Sequence, residues 1–355
     1  MIVLNTRTPL DPSDAELLGP NAPIGPLRFL ASLGSVPTPL MGLPDLAESI
    51  GVGAIYLKNE GERLGLGSFK ALGGAYAVEC LASQPGMVFT CATDGNHGRA
   101  VAYGARLVGA RSVVFVHRGV SQPRIDAIAE LGAEIVRVDG NYDDSVAEAA
   151  RVSEERGWAV VSDTAWPGYE RIPGLVMQGY TVIVKEALDA LPELPTHVFI
   201  QAGVGGLAAA VAGHFAHRPT FVVVEPARAA CLFESARAGR LITIDPQPPT
   251  VMAMLECYRP SLSAWRVLSH LADAFMTVDE DEATEAVKSL APISASESGA
   301  AGLAGLMQAA LDPRIREQLS LDESSRVFLV VSERSAPPGG PLGTGNKVAG
   351  PVHTG

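Results

Sequence analysis

The sequence predicts an α/β protein whose parallel-rich sheets are flanked by helices and divided between two domains. Short apolar segments rich in β-branched residues alternate with helical segments along most of the chain. Such segments are typical of strands covered on both faces of a sheet. The length of 355 residues is enough for two domains, at about 150 residues per domain.

Composition and charge narrow the class of protein. Hydrophobic residues make up 47% of the chain and charged residues 19%, as in a globular protein. The formal net charge of −12 argues against binding nucleic acid or an anionic membrane surface. No apolar stretch approaches the roughly 18 residues that a membrane-spanning helix needs, and the first residues show no secretory signal. We therefore expect a cytoplasmic protein.

The four cysteines are widely spaced and include no CxxC pair: Cys80, Cys91, Cys231 and Cys257. This spacing favours reduced thiols over a disulfide framework, and it predicts no metal site.

Seven segments are predicted to be strands: 54–58, 87–91, 112–117, 134–138, 197–201, 221–225 and 327–332. Six helices are predicted between them: 68–81, 98–108, 124–131, 144–156, 181–191 and 207–216. Because strands and helices alternate, we expect parallel strands joined by helical crossovers.

The order of the elements predicts an inserted domain. Residues 36–82 and 166–334 are expected to form a large domain, and residues 83–165 a small one, with a cleft between the two. Residues 1–35 form an N-terminal extension. Residues 335–355, which are rich in Gly and Pro, are expected to form a flexible tail.

The first candidate site segment is Gly65–Tyr76, GLGSFKALGGAY. We expect its helix to begin at Ser68, a residue type favoured at N-caps. Lys70 then lies in the first turn, next to Phe69. Loss of hydration lowers the pKa of an ammonium group and frees the amine for Schiff-base chemistry. The alternative is a solvated lysine at a helix start.

The second segment is Thr90–Arg99, TCATDGNHGR, which follows a predicted strand. Ligands bind at the carboxyl ends of parallel strands. Asn96 could hydrogen-bond a ring hydroxyl, and Asp94 could act as a general base or merely cap the helix. For His97 we favour a structural role over a catalytic one.

The third segment is Gln201–Leu207, QAGVGGL, between a strand and an Ala-rich helix. Its glycines allow backbone N–H groups to converge on a phosphate at a helix N-terminus, although close packing would also explain them. Ser332 ends the last predicted strand, where its hydroxyl could face a ring nitrogen or be an ordinary strand-end serine. A lysine, an asparagine for a ring hydroxyl and a glycine turn for a phosphate are what pyridoxal 5′-phosphate requires.

The segments GSFKALGGAYA, ATDGNHGRAVAY and QAGVGGLAAA, in this order, resemble those of fold type II pyridoxal-phosphate enzymes, the tryptophan synthase β-subunit superfamily. Within it, the chain is similar to the diaminopropionate ammonia-lyase family. That similarity rests on VPTPL, ATDGNHGR, SDTAW and GYERIPGLVMQGY, which begin at Val36, Ala92, Ser162 and Gly168. Serine and threonine dehydratases usually carry a serine-containing loop where this chain has Thr93 and Asp94.

The resemblance implies a set of site residues. Lys70, beside Phe69, would form the Schiff base with pyridoxal phosphate, and Asn96 would contact its 3′-hydroxyl. Asp94 and Asp163 would lie near the substrate, with Asp94 as proton acceptor for the D-isomer and Lys70 for the L-isomer. For Asp163, a structural role in the turn that follows it is an equal alternative. The phosphate would be bound by Gly203, Val204, Gly205, Gly206 and Leu207.

The resemblance also implies a reaction, the α,β-elimination of ammonia from 2,3-diaminopropionate to give pyruvate. The alternatives are a serine/threonine-type dehydratase or a β-replacement synthase, and a catalytically silent ligand-binding member. Family members are commonly homodimers, so a homodimer is expected. Met254 and Tyr258 replace glycines that the family usually carries, which leaves the identity of the amino-acid substrate open.

Overall fold

The computed structural model describes residues 1–93, 95–140, 142–215 and 218–335. Asp94 and the predicted tail after Ser335 therefore lie outside the described residues. Within the described ranges, the strands are β1 (Ile2–Leu4), β2 (Leu40–Gly42), β3 (Ala54–Asn59), β4 (Val88–Ala92), β5 (Arg111–His117), β6 (Glu134–Val138), β7 (Ala159–Val160), β8 (His197–Gln201), β9 (Thr220–Pro226), β10 (Ala274–Val278) and β11 (Arg326–Val331).

Helices connect and flank these strands. In the same ranges they are α1 (Pro12–Leu18), α2 (Ile24–Ser32), α3 (Pro44–Ile50), α4 (Lys70–Leu81), α5 (Asn96–Leu107), α6 (Gln122–Ala129), α7 (Tyr142–Arg156), α8 (Arg171–Ala190), α9 (Gly206–His214), α10 (Cys231–Ala238), α11 (Leu262–Leu271), α12 (Glu280–Ser289), α13 (Glu297–Leu311) and α14 (Pro313–Leu319). None of these helices is both long and apolar enough to cross a membrane.

The larger sheet has the strand order β1-β10-β9-β8-β11-β3-β2. Its five inner strands are parallel, and β1 and β2 are antiparallel edges. Side chains of β8 alternate between two cores. Val198 and Ile200 pack with the α9 side, whereas Phe199 packs with the α13 side. Both faces of the sheet are thus covered, which explains why its strands are apolar almost throughout.

The smaller sheet has the order β6-β5-β4-β7, and all its strands are parallel. These four strands all lie between residues 83 and 165. Helix α5 packs on β4 and β5 and also on α4, so it joins the layers of the two sheets. The α/β class with parallel-rich sheets flanked by helices is confirmed.

Several predicted boundaries are wrong. Helix α4 begins at Lys70 rather than at Ser68, because Ser68 forms a β-bridge with Glu333 and the N–H of Phe69 donates to the carbonyl of Ser332. Helix α8 begins ten residues earlier than predicted. Strands β1, β2 and β7 were not predicted because two or three residues carry no usable periodicity. Strand β10 and the helices α10, α11, α12, α13 and α14 were not predicted either.

Candidate active site

The glycine turn after β8 is shaped by close contacts. Gly205 has φ +101°, a left-handed conformation that favours glycine. A Cβ at Gly203 would lie 3.0 Å from Cys257 Sγ. Helix α9 begins at Gly206, so the first N–H groups of this helix have no partner inside it. The turn can therefore present N–H groups to an anion without side chains in the way.

Lys70 forms an ion pair at the start of α4. Its Nζ lies 2.5 Å from Oδ2 of Asp163, which follows β7, and 5.3 Å from the ring centroid of Phe69. The Lys70 side chain is 22% exposed and that of Asp163 17%. The pair is therefore partly open rather than sealed in the core.

The expected lowering of the Lys70 pKa is wrong for this arrangement. Burial by itself would lower the pKa of the ammonium, but the Asp163 carboxylate outweighs burial, and the pKa is raised above its usual value. Burial would raise the pKa of Asp163, but Lys70 and His97 hold it well below the usual range. Each charge stabilises the other.

The ion pair and the glycine turn lie side by side. A Cβ at Gly206 would be 3.9 Å from the carbonyl oxygen of Asp163 and 3.9 Å from the ring of Tyr180. Tyr180 in turn packs against Phe69, with ring centroids 4.6 Å apart. A molecule that reaches Lys70 can therefore also reach the turn.

The end of β11 also borders the site. The Asn96 Nδ2 group donates to Oε2 of Glu333. The Oγ of Ser332 accepts from Nε2 of Gln201 at 2.8 Å. Through these contacts, the predicted residues Asn96 and Ser332 lie on one wall of the site together with Glu333.

Two buried polar atoms near Lys70 have no hydrogen-bond partner among the described residues, namely His97 Nδ1 and the Tyr180 hydroxyl. The Nε2 of His97 donates to the carbonyl of Val161 at 2.8 Å, and Nδ1 lies 3.9 Å from Asp163 Oδ2. Burial lowers the pKa of His97 and raises the pKa of Tyr180. Unpartnered atoms of this kind suggest that the site is completed by a ligand.

The segment carrying Met254 and Tyr258 forms part of the wall of the site. A Cβ at Gly95 would lie 3.8 Å from Met254 Sδ and 3.7 Å from the Cδ of Arg124. The Tyr258 hydroxyl donates to Glu256 at 2.7 Å. The Met254 side chain therefore narrows the site next to Gly95, at the start of α5. The Tyr258 hydroxyl is instead bonded to Glu256, a residue of its own segment.

The structure thus brings together the predicted residues Lys70, Phe69, Asn96, Asp163, Ser332 and the turn Gly203, Val204, Gly205, Gly206 and Leu207. Asp94 lies outside the described residues. The Asp163 carboxylate accepts from Thr164 Oγ1 at 3.4 Å, and the rest of the following turn is held by Tyr169 through its hydroxyl and by stacking on Trp166. Sequence reasoning assigned no role to Glu333, Tyr180, Gln201 or Arg124. Glu333 could have been noticed as a carboxylate directly after an apolar strand.

These residues fit pyridoxal phosphate. The chain offers a lysine amine, a helix N-terminus behind a turn in which a Cβ at Gly203 would meet Cys257 Sγ at 3.0 Å, and unpartnered polar atoms near the lysine. The amine matches the aldehyde of the coenzyme, and the turn matches its phosphate.

Comparison with known proteins identifies the class of protein. Residues 31–333 match the family described as "Pyridoxal-phosphate dependent enzyme". The chain belongs to this family, which confirms the coenzyme predicted from the three segments.

Its relatives within the family are more specific. Diaminopropionate ammonia-lyase of Escherichia coli (strain K12) is 36% identical over 84% of this chain and 85% of its own length. The enzyme of the same name from Salmonella typhimurium is 35% identical over 85% and 86% of the two chains. The crystal structure of the Escherichia coli enzyme with an aminoacrylate-PLP azomethine reaction intermediate has a TM-score of 0.83 and 34% identity, covering 94% of this chain and 93% of that one.

Proposed function

We infer that this chain is a pyridoxal-phosphate-dependent lyase that eliminates ammonia from 2,3-diaminopropionate, after which hydrolysis by one water gives pyruvate and a second ammonia. The observation that carries this proposal is the Lys70–Asp163 pair beside the glycine turn, in a chain 36% identical to diaminopropionate ammonia-lyase. Threonine ammonia-lyases and dehydratases are also relatives, at about 29% identity.

We assign the coenzyme contacts as the sequence predicts them. Lys70 supplies the amine for the coenzyme aldehyde, with Phe69 beside it, and Asn96 binds the 3′-hydroxyl. Ser332 faces the ring nitrogen. Residues Gly203, Val204, Gly205, Gly206 and Leu207 bind the phosphate. When bound, pyridoxal phosphate withdraws the electron pair left on Cα after proton removal.

The residues of this chain bind the substrate and move its protons. Asp163 offers a carboxylate for the second ammonium group of a diamino acid, a group that serine and threonine lack. The released Lys70 amine accepts the Cα proton of the L-isomer, and Asp94 that of the D-isomer. Asp163 then holds the proton at Lys70 Nζ, since its charge stabilises the ammonium form.

The proposed setting of the site is a cleft between a small domain over 83–165 and a large domain over 36–82 and 166–334. We propose a cytoplasmic homodimer with no nucleic-acid or membrane partner, in keeping with the resemblance and with a net charge of −12. Light scattering of the purified protein would test the dimer.

The experiment is turnover of D- and L-diaminopropionate, serine, threonine and O-acetylserine by the wild type and by Lys70→Ala, with pyruvate and ammonia measured. We expect pyruvate from diaminopropionate with the wild type, and a loss of at least about 10³-fold in Lys70→Ala because the covalent route is removed. The matched control is Lys185→Ala, which removes an exposed lysine paired with Asp189 and should leave activity unchanged.

Three results would contradict the proposal. Efficient elimination from serine while diaminopropionate stays inert would identify a dehydratase, and turnover of O-acetylserine only with an added nucleophile would identify a β-replacement synthase. An absorbance spectrum that no amino acid changes would identify a catalytically silent member.

A further inference from the structure

Glu333 is a buried carboxylate inside the candidate site, and it is only 9% exposed. Its Oε2 accepts from Asn96 Nδ2, and its Oε1 accepts from Ser296 Oγ at 2.5 Å. Both oxygens accept hydrogen bonds, as those of an ionised carboxylate do. The carboxylate therefore contacts one of the residues that we assign to the coenzyme ring.

The backbone of Glu333 is held on two sides. Ser296 N donates to the carbonyl of Glu333 at 3.2 Å, and Ser68 forms a β-bridge with Glu333. A Cβ at Gly299 would lie 2.2 Å from that carbonyl oxygen, so helix α13 packs directly against it. Because these contacts hold the end of β11 against helix α13, the Glu333 carboxylate has a fixed position relative to Asn96.

The cations that face Glu333 come from three helices: Arg124 on α6, Lys70 on α4 and Arg99 on α5. Burial raises the pKa of Glu333, whereas the donors Ser296 and Asn96 and the cations Arg124 and Lys70 oppose the rise. No cation among the described residues forms an ion pair with Glu333, so its two hydrogen bonds are the principal local contacts of the carboxylate.

An asparagine amide can present either an N–H or its oxygen to a ligand, and the two orientations are similar in shape. An ionised carboxylate only accepts, so it binds the amide through an N–H. Because the amide is planar, holding one N–H also fixes the directions of the second N–H and of Oδ1. A neighbour that both donates and accepts would permit either orientation.

We propose that Glu333 is a positioning residue, which holds the Asn96 amide so that an N–H group, and not the amide oxygen, faces the 3′-oxygen of the coenzyme. This inference rests on the proposed contact of Asn96 with that oxygen. A donor stabilises the ionised 3′-oxygen, whereas an amide oxygen in the same place favours the protonated one. Glu333 would therefore set the balance between the two tautomers of the bound coenzyme.

The test is the absorption spectrum of the substrate-free holoenzyme of Glu333→Gln, in which the new amide can donate or accept. We expect the ratio of the near-ultraviolet band to the visible band to rise about fivefold, the change expected from losing one hydrogen bond. If Glu333 acted only through its negative charge, Glu333→Gln would shift the ratio the other way, because removing an anion favours an ionised oxygen.

Glu333→Asp separates the two effects and serves if Glu333→Gln fails to fold. Glu333→Asp keeps the negative charge, but its side chain is too short to accept the hydrogen bond from Asn96. The ratio of the near-ultraviolet band to the visible band should therefore rise in this variant as well. The control is Glu225→Gln, which makes the same substitution at a second buried carboxyl group, one that accepts from Leu232 N and Phe233 N. Its band ratio should equal that of the wild type.

An unchanged ratio in both Glu333 variants, or a gain of the visible band, would overturn the inference. Turnover of diaminopropionate is measured separately. A holoenzyme that shows the expected spectral change but does not use diaminopropionate would contradict the proposed function and leave the role of Glu333 standing.

Discussion

Two lysines twelve residues apart make different use of a carboxylate partner. Lys58, on β3, is 1% exposed, and its Nζ donates to Glu186 and to the carbonyl of Thr38, both at 2.6 Å. Lys70, at the start of α4, has one carboxylate partner, a side chain 22% exposed and unpartnered polar atoms nearby. Both are ion-paired, but only the second is open to a ligand.

The surroundings of Lys58 form a closed network. Arg63 donates to both Glu60 and Glu186, and Thr38 Oγ1 donates to Glu60 at 2.6 Å. No side-chain nitrogen or oxygen of Lys58, Arg63, Glu60 or Glu186 is among the buried atoms without a partner. Such a network ties β3, the turn after it and α8 together.

The difference shows that burial and ion pairing do not by themselves identify a reactive lysine. A fully satisfied cluster of charges has a structural role, since any ligand would have to break its hydrogen bonds. The ion pair at Lys70 is distinguished by what it leaves unpaired, the imidazole nitrogen of His97 and the hydroxyl of Tyr180.

The largest effect on folding is expected for Lys58→Met. This change leaves Glu186 buried with one cation fewer, which should lower the free energy of unfolding by about 3–5 kcal/mol. Chemical denaturation would measure it, with Lys185→Met as the control, since an exposed pair contributes under about 1 kcal/mol. Activity per folded molecule should stay at the wild-type level, and an unchanged unfolding midpoint would show that the network is dispensable.

Asp163→Asn tests the open pair. Activity should fall by about 10²-fold or more, since the carboxylate that holds a proton at Lys70 is lost, while the fold should persist. The same change removes the charge that raises the Lys70 pKa. More of the amine is then neutral near pH 8, so the apoprotein should take up the coenzyme faster than the wild type, measured by stopped-flow absorbance. Slower uptake would contradict the assigned effect of Asp163.

Glu225 provides a third comparison, with a smaller expected effect. It is a buried carboxyl group with no cation among its described contacts. It accepts from Leu232 N and Phe233 N, with Cys231 and Glu234 also nearby, and burial raises its pKa to about 8. By contrast, Glu60 is also buried, yet Arg63 outweighs burial and lowers the Glu60 pKa. The cation decides the direction of the shift.

The pH dependence of stability follows from the raised pKa of Glu225. The folded state holds a proton on Glu225 more tightly than the unfolded state, so this stabilisation is complete below about pH 4.5 and is lost as pH rises towards 8. Glu225→Gln should flatten the fall in stability across that window, by about 1–3 kcal/mol between its ends. Unfolding measured at pH 5, 6.5 and 8 would check it, and parallel pH profiles in the two proteins would contradict it.

Much of the fold followed from local pattern. The predicted bounds of strands β6 and β8 agree with the structure at both ends. A short apolar segment between two polar turns is the sequence pattern expected of a strand in a parallel sheet, so such strands can be located from the sequence. Boundaries set by distant partners were not predictable. Helix α4 starts at Lys70 because Ser68 and Phe69 bond the end of β11, more than 260 residues away in the chain.

The sequence by itself determined the fold class, the coenzyme and the residue types of the site. The backbone freedom of a glycine, the amine of a lysine and the amide of an asparagine are properties of the residue itself, so they can be read from the sequence. Tertiary structure decided how their charges behave. The direction of the Lys70 pKa shift depends on Asp163, which lies 93 residues away along the chain. The orientation of the Asn96 amide depends on Glu333, which lies 237 residues away. Electrostatic effects depend on distance in space and on exposure to water, and neither is local in sequence.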